Sequence, residues 1–411
     1  MNIQPFRGYR YAVGGTPDIS PVVAPPYDQI SPEMQERLLA MSAHNVVRVT
    51  LPQDELGLDR YQRARQVLQA WLAAGVWTPE PRPAIYPYHQ TYAAQGRRIT
   101  REGFVALGEV SDYAQGIVRP HERTHAGPKR DRLRLLEATG ADMGLLFMLT
   151  SDPDGALREA VRPAGEPVAE GHDLRGELHQ LWRITDEATI ARVQALMIPR
   201  SVIIADGHHR YETAVEYARD HPGCRLKLMT FCTLEAPGLT ILANHRLVHG
   251  VEGFALDGLA ERARPWFETA PLVDPLRFTP TTRSIGAVSG ARALVFRLRD
   301  EAVAKVPWPA HTSPAWRALS VSILHEGLLK PLLDITEAKL DARSHVDYTA
   351  DTAEAVRLAR EGGCQAAFLI APTTADELRA VVEGGELLPQ KSTHFYPKLL
   401  DGLVFHRLQE A

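Results

Sequence analysis

The sequence predicts an α/β (α+β) fold with a mixed sheet at its centre, and three features carry that expectation. Residues 198–205 form a short, almost wholly apolar run rich in β-branched residues, the pattern of a strand buried on both faces. That run opens through Gly207 into a helical pattern with Ala214, Val215 and Ala218 on one side. Between Pro83 and Val110 apolar residues alternate on either side of Gly96, which predicts a hairpin. At 411 residues the chain exceeds one ordinary core. Three parts are expected: an N-terminal α/β part over 1–99, a core over 100–250 and a C-terminal α/β part over 251–411.

In chain order, the proline-rich stretch 16–32 reads as an ordered loop, because each proline removes a donor and restrains its predecessor. Ser31-Pro32-Glu33 then supplies an N-cap with proline at the first helical position, so a short helix follows. A strand is expected from Asn45 to Leu51 and an amphipathic helix from Tyr61 to Ala74, with Val67, Leu68, Trp71 and Leu72 on its apolar stripe. After the hairpin come a helix beginning near Leu133, a strand from Gly144 to Thr150, and a stretch of low information from 151 to 178. Beyond the central strand and helix, a helix is expected near 255–264, a strand near 293–298, a helix near 314–329 and a strand at 368–370.

Composition narrows the function. A hydrophobic share of 45% with 23% charged residues is that of a folded globular chain. The net charge of −4 gives no global basic field, so no nucleic-acid or membrane partner is expected. No apolar run reaches the length of a membrane span, the N-terminus has no secretory h-region, and the three cysteines (Cys224, Cys232, Cys364) fit no metal-knuckle spacing. A cytoplasmic protein is the expectation, with self-association as a homodimer left open.

The motif best able to do chemistry is Asp206-Gly207-His208-His209-Arg210, where a buried strand turns at glycine into a helix. First-turn N–H groups lack a partner within a helix, so this turn is an anion site. The positive end of a helix ordinarily attracts acids, yet His208, His209 and Arg210 occupy its first turn. A bound phosphate resolves that conflict, with Arg210 offering paired hydrogen bonds. Asp206 suits metal binding or histidine orientation. A second cluster, His121-Glu122-Arg123-Thr124-His125, matches the zinc-protease pattern in letters, but Pro120 before it and Gly127-Pro128 after it leave too little helix for the two histidines to share a face. The better reading is a loop with Glu122 as proton acceptor and His121, Thr124, Lys129 and Arg132 as phosphate or metal-shell contacts. Lys391-Ser392-Thr393 is a further phosphate-binding candidate, and no Walker or Rossmann glycine pattern accompanies it. Weaker candidates are Arg7, the Pro25-Pro26-Tyr27-Asp28 loop, Asn45 with Arg48, and His245-Arg246.

Taken in order, Pro5-Phe6-Arg7-Gly8, Val23-Ala24-Pro25-Pro26-Tyr27-Asp28, Asn45-Val46-Val47-Arg48, His121-Glu122-Arg123-Thr124, Ile204 to Ala214 and Pro389-Gln390-Lys391-Ser392-Thr393 resemble the bacterial and archaeal domain-of-unknown-function family 1015 over nearly the whole chain. Asp206-Gly207-His208-His209-Arg210 also resembles the phosphate box of the ParB/sulfiredoxin-like superfamily and its free-serine kinases. That resemblance implies a ParB/sulfiredoxin-like mixed-sheet core in which His208, His209 and Arg210 hold phosphate, Asp206 serves a metal or a histidine, and Mg²⁺ assists. It further implies a glutamate base upstream, which is assigned here to Glu122. The expected activity is phosphoryl transfer from ATP, ADP or pyrophosphate to the hydroxyl of free L-serine or a similar small alcohol. The alternatives are a phosphatase or pyrophosphatase at the same cradle and a non-catalytic nucleotide-binding module.

Overall fold

The computed structural model describes residues 1–11, 18–54, 57–94, 96–124 and 126–408. It is a mixed α+β protein that divides into two compact units. The first comprises residues 1–120, 124–240 and 397–411, and the second residues 121–123 and 241–396. This differs from the expected division at 99 and 250. A cut at 99 falls within a continuous strand whose ladder partners lie on both sides of it, and hydrogen-bonded strands of one sheet share one core.

Among the described residues, nine strands of the first unit form one sheet: β1 (Ile3–Gln4), β2 (Tyr86–Ala94), β3 (Arg97–Glu109), β4 (Val118–Arg119), β5 (Leu146–Thr150), β6 (Ala169–His172), β7 (Leu178–Leu181), β8 (Val202–Asp206) and β9 (Leu226–Thr233). Their order across the sheet is β4-β8-β5-β9-β3-β2-β7-β6, with β1 also on β3. The sheet is mixed, since β8 runs parallel to β4 and β9 parallel to β5 while the other pairs are antiparallel. The expected hairpin is β2 and β3, with the left-handed Gly96 at its turn. The expected central strand begins later than predicted, at Val202, because residues 187–197 form a helix that Asp186 caps through the Thr189 amide. Its residues Val202 to Ala205 are buried, as an apolar run flanked by strands on both edges must be.

One face of this sheet packs Ile85, Phe104, Met148, Ile204 and Phe231 against helices Glu187–Met197 and His208–Asp220. A separate cluster gathers the N-terminal helices. Trp77 lies at its centre, with ring centroids 4.8 Å from Trp71, 5.3 Å from Tyr11 and 4.7 Å from Phe405. Ser31 caps helix Pro32–Met41, as expected, and Asp59 caps helix Arg60–Ala73.

Two expectations fail locally. Residues 45–51 do not form a strand; Val47–Thr50 is a helical turn, because the Asn45 side chain accepts from the Val47 amide at 3.0 Å and donates to the carbonyls of Pro21 and Val23. A short buried apolar run fits either state, and here a tertiary cap decides it. The helix expected from Leu133 instead spans Ala126–Thr139 and takes Gly127 and Pro128 into its first turn, where proline's missing N–H costs nothing.

The second unit has a six-stranded sheet, wholly antiparallel, in the order Phe267–Pro271, Arg292–Leu298, Ser284–Ser289, Ala366–Leu369, His245–Val248, Val346–Thr349. Helix Thr352–Glu361 packs on it through Ala355, Val356 and Ala359. The helix expected over 314–329 is broken at Leu319 into Pro314–Ala318 and Ser320–Leu324, then widens to a π-turn at His325–Leu329.

Truncating Trp77 to Ala should lower stability by about 3–5 kcal/mol, the usual cost of removing a buried aromatic. Denaturant unfolding checks it, with the exposed Val273→Ala as a control that should leave the midpoint in place.

Candidate functional site

Strand β8 ends at Asp206, where a register shift against β5 between Ile204 and Asp206 re-aims the chain. Gly207 follows in the left-handed region, with φ 96°, and helix His208–Asp220 starts directly after it. A Cβ at Gly207 would lie 2.7 Å from Leu146 Cδ2 and 3.1 Å from Arg210 Nε, so both the backbone angle and the space require glycine. Glycine supplies no side-chain cap to the helix.

Arg210 folds back under this turn and is 9% exposed. Its Nη1 donates to the Leu145 carbonyl at 2.7 Å and its Nη2 to Asp206 Oδ2 at 3.4 Å, while Asp206 Oδ1 lies 3.7 Å from Lys398 Nζ. Burial works against the guanidinium's charge, but the carboxylates of Asp206, Asp401 and Asp28 outweigh it and hold its pKa above the ordinary arginine value. Arg210 is therefore a fixed cation.

Arg210 also lines a cavity within the first unit, together with Tyr27, Arg132, Asp142, Lys227 and Asp401 and with apolar walls from Val49, Leu135 and Met143. The Arg132 guanidinium stacks 4.0 Å above the Tyr27 ring and donates to the Thr50 carbonyl at 2.6 Å. Lys227 pairs with Asp142 and donates to the Gly144 carbonyl at 2.8 Å; burial lowers its pKa while Asp142 opposes the shift. Asp142 accepts in turn from the Leu228 amide at 2.7 Å. Burial pushes the Asp401 carboxyl up to about 7, against the pull of Arg210, Arg132 and Lys227. Three cations thus line one partly apolar space, each already paired with a carboxylate, Arg210 with Asp206, Arg132 with Asp131 and Lys227 with Asp142, so an anionic group attached to a larger body would bind there in competition with those pairs.

The structure brings together Asp206, Gly207 and Arg210, with Arg132 on the cavity Arg210 shares. His208 and His209 begin the helix, the first buried and the second half-buried. Thr124 and Lys129 turn to a different partner. Both donate to Glu212 Oε2, at 2.8 and 2.7 Å, and Tyr113 donates to its other oxygen at 3.3 Å.

His121, Glu122, Lys391, Ser392 and Thr393 belong to the second unit. His121 is buried, with Nε2 2.9 Å from Thr393 Oγ1 and 3.9 Å from Glu122 Oε2. Ser392 donates to the Pro389 carbonyl, and the Asn244 amide donates to the carbonyls of Lys391 and Thr393 at 3.0 Å each. The Ser392 hydroxyl thus holds its own segment, while that of Thr393 is engaged by His121. No helix runs through the zinc-like pattern: residues 121–124 are irregular, a helix begins at Ala126, and His125 lies outside the described residues.

The pattern reading missed Asp142, Lys227, Asp401 and Glu212. Lys227 and Asp401 carried a legible signal, since each is a charge inside an otherwise apolar stretch, and buried charges occur only with partners.

A family model described as "Protein of unknown function (DUF1015)" matches residues 3–322. A search of curated proteins finds no match. Among solved structures, a conserved hypothetical protein from Pyrococcus furiosus is 12% identical with a TM-score of 0.36, covering 70% of this chain and 90% of its own. A free serine kinase mutant in complex with AMP is 11% identical with a TM-score of 0.37, covering 72% and 87%. SbnI with a C-terminal truncation from Staphylococcus aureus is 14% identical with a TM-score of 0.37, covering 72% and 85%. Values this low assign no activity to this chain.

Two outcomes test the site's construction. Gly207→Ala should cost about 1–3 kcal/mol by forcing a side chain into the left-handed region, read by denaturant unfolding; an unchanged midpoint would refute the steric account. Asp401 has a folded pKa raised above its unfolded value, so its contribution is fully present below the unfolded pKa and is lost as pH rises through about 7. Unfolding free energy should therefore fall from about pH 4 to about 7 and level off above, and Asp401→Asn should shrink that slope.

Proposed function

The chain belongs to the DUF1015 family, and from its own residues we propose that it is a phosphotransferase, moving a phosphoryl group from a nucleotide or pyrophosphate to the hydroxyl of free L-serine or a similar small alcohol. The observation that carries this reading is the convergence of Arg210, Arg132 and Lys227 on one cavity, which Arg210 reaches from the first turn of the helix that follows Gly207. A transferring phosphoryl group spreads charge over its oxygens, and little covalent chemistry is asked of the protein beyond positioning and neutralising it.

In this mechanism Arg210 binds the transferring group. It is already ordered by Leu145 and Asp206, so little side-chain entropy is lost on binding. His208 and His209, in the first helical turn, donate to the same group, and the helix start adds its partial positive charge. The acceptor hydroxyl gives its proton to a carboxylate. That role is assigned to Glu122 from the His121-Glu122-Arg123-Thr124 motif alone. Asp206 is the loop carboxylate able to hold Mg²⁺, which takes one or two protein carboxylates beside the donor's phosphates; when bound, the ion would neutralise donor charge. Its oxygens face Arg210 and Lys398, so such an ion would share the carboxylate with them.

The test is ³¹P NMR of the purified full chain with Mg²⁺ and L-serine, offered ATP, ADP and pyrophosphate in turn. A phosphoserine resonance is expected. Arg210→Lys, which keeps the charge but loses the paired donors, should slow its appearance by about 100-fold or more, and Glu122→Gln should abolish it at unchanged melting temperature. Release of inorganic phosphate alone would replace the kinase by a hydrolase. Donor binding without turnover would leave a nucleotide-binding module, and no binding of any donor would sink the phosphate site itself.

A further inference from the structure

Within the first unit and independent of the phosphate reading, the hairpin joining β6 to β7 carries a group of side chains with no role so far. Asp173, Glu177 and His179 place a carboxylate oxygen, a second carboxylate oxygen and an imidazole nitrogen within 4.8 Å of one another. His179, on β7, is fully buried, and its Nε2 has no hydrogen-bond partner among the described residues. Glu177 Oε2 is likewise buried and without one. Asp173 Oδ2 approaches His179 Nε2 at 3.7 Å, too far for a hydrogen bond and close to the spacing of two donors around one ion. Orphaned polar atoms are rare inside proteins, and two of them beside a third, partly exposed carboxylate oxygen call for a shared partner.

We propose that Asp173, Glu177 and His179 form a binding site for one divalent transition-metal ion of the zinc class. The donor set is one imidazole and two carboxylates, which suits Zn²⁺, Mn²⁺ or Co²⁺ better than the oxygen-only ions Mg²⁺ and Ca²⁺.

The local structure prepares the site. Asp173 Oδ1 accepts from the amides of Arg175 and Glu177 at 2.8 and 3.0 Å, and the Asp173 amide donates to the Glu177 carbonyl at 3.1 Å, so the turn is closed and the other Asp173 oxygen points away from it. Glu177 and His179 are two apart, which puts both side chains on one face of an extended chain. Tyr88 Oη lies 2.6 Å and the Gln90 amide nitrogen 3.4 Å from His179 Nδ1; binding an ion through Nε2 requires the tautomer with the proton on Nδ1, for which Tyr88 Oη is the acceptor. Three protein ligands leave a tetrahedral position open to water or a substrate atom.

The neighbouring charges fit a cation as well. Burial and Asp173 together push the Glu177 carboxyl up to about 7, and burial lowers the His179 pKa. A dication relieves the repulsion between the carboxylates. Arg101 stands nearby and opposes this, but its guanidinium is committed to Gln90 and to the Pro397 carbonyl. Two carboxylates, one neutral imidazole, one guanidinium and one dication leave a net single positive charge.

The experiment is calorimetric titration of the chelator-stripped full chain with ZnCl₂, with CoCl₂ as a spectroscopic probe of the ligand field. One Zn²⁺ per chain and a Co²⁺ absorption band of low coordination number are expected. Asp173→Asn and Glu177→Gln should each weaken binding by about tenfold or more, and Tyr88→Phe, which touches no metal, by about tenfold through the imidazole it orients. Asp173 is partly exposed, so its variant keeps the test alive if the buried Glu177 variant fails to fold. Sub-stoichiometric Zn²⁺, or binding unchanged in Asp173→Asn and Tyr88→Phe, would overturn the site; failure of phosphoryl transfer would not touch it.

Discussion

The ion pair between Lys227 and Asp142 anchors the arrangement around the cavity. Strand β9 delivers Lys227 into a buried position, and the chain segment Ala141–Leu145 responds by folding its polar groups onto it: Asp142 pairs with the ammonium and the Gly144 carbonyl accepts from it. The next carbonyl, that of Leu145, receives Arg210. One short segment therefore carries both cations, and each is stable where it is only because that segment supplies acceptors. Removing Asp142 would leave a charge buried without its partner, the situation that makes breaking such pairs far more costly than their net contribution. The position of Arg210 under the Gly207 turn follows from this anchoring as much as from its own helix.

That anchoring revises the physics of the motif. Basic residues in the first turn of a helix conflict with the helix dipole, and a bound anion was the sequence-level resolution. The structure resolves part of the conflict internally, because Arg210 leaves the helix axis, pairs with Asp206 at the end of the preceding strand and bonds to Leu145. The turn can thus be formed before any ligand arrives. Preorganisation of this kind is what lets a cationic cradle act on a developing charge without first rearranging.

How much of this could be read from the residues depended on range. Local rules located Ser31 as a cap, the hairpin around Gly96, and the strand, glycine and helix of the central motif, because each depends on a few adjacent residues. They failed where a distant group decides, as at Val47–Thr50, whose helical turn is set by Asn45 bonding back to Pro21 and Val23. The candidate site divides in the same way. Asp206, Gly207 and Arg210 could be grouped because they are contiguous, whereas Asp401 joins them from almost 200 residues away. Thr124 and Lys129 look like phosphate ligands by type, yet Glu212 engages both, and nothing in the spacing of those three residues discloses it.

The same unit also holds a second, opposite charge environment. Around Arg210 three cations line the cavity, each beside a carboxylate partner; at the β6–β7 hairpin two carboxylates and an imidazole outweigh Arg101, and the cluster favours a cation. A net charge of −4 is the sum over such local fields and describes neither. What separates them is the sheet itself. Cross-strand neighbours His179, Gln90 and Arg101 form a polar row over β7, β2 and β3, in which Gln90 accepts from the guanidinium. Arg101 is thereby fixed toward Gln90 and the Pro397 carbonyl, although its charge is still felt at Glu177 and His179. A side chain that could rotate would collapse onto Glu177 and cancel the cluster; held in the row, it leaves the three donors converging on one another.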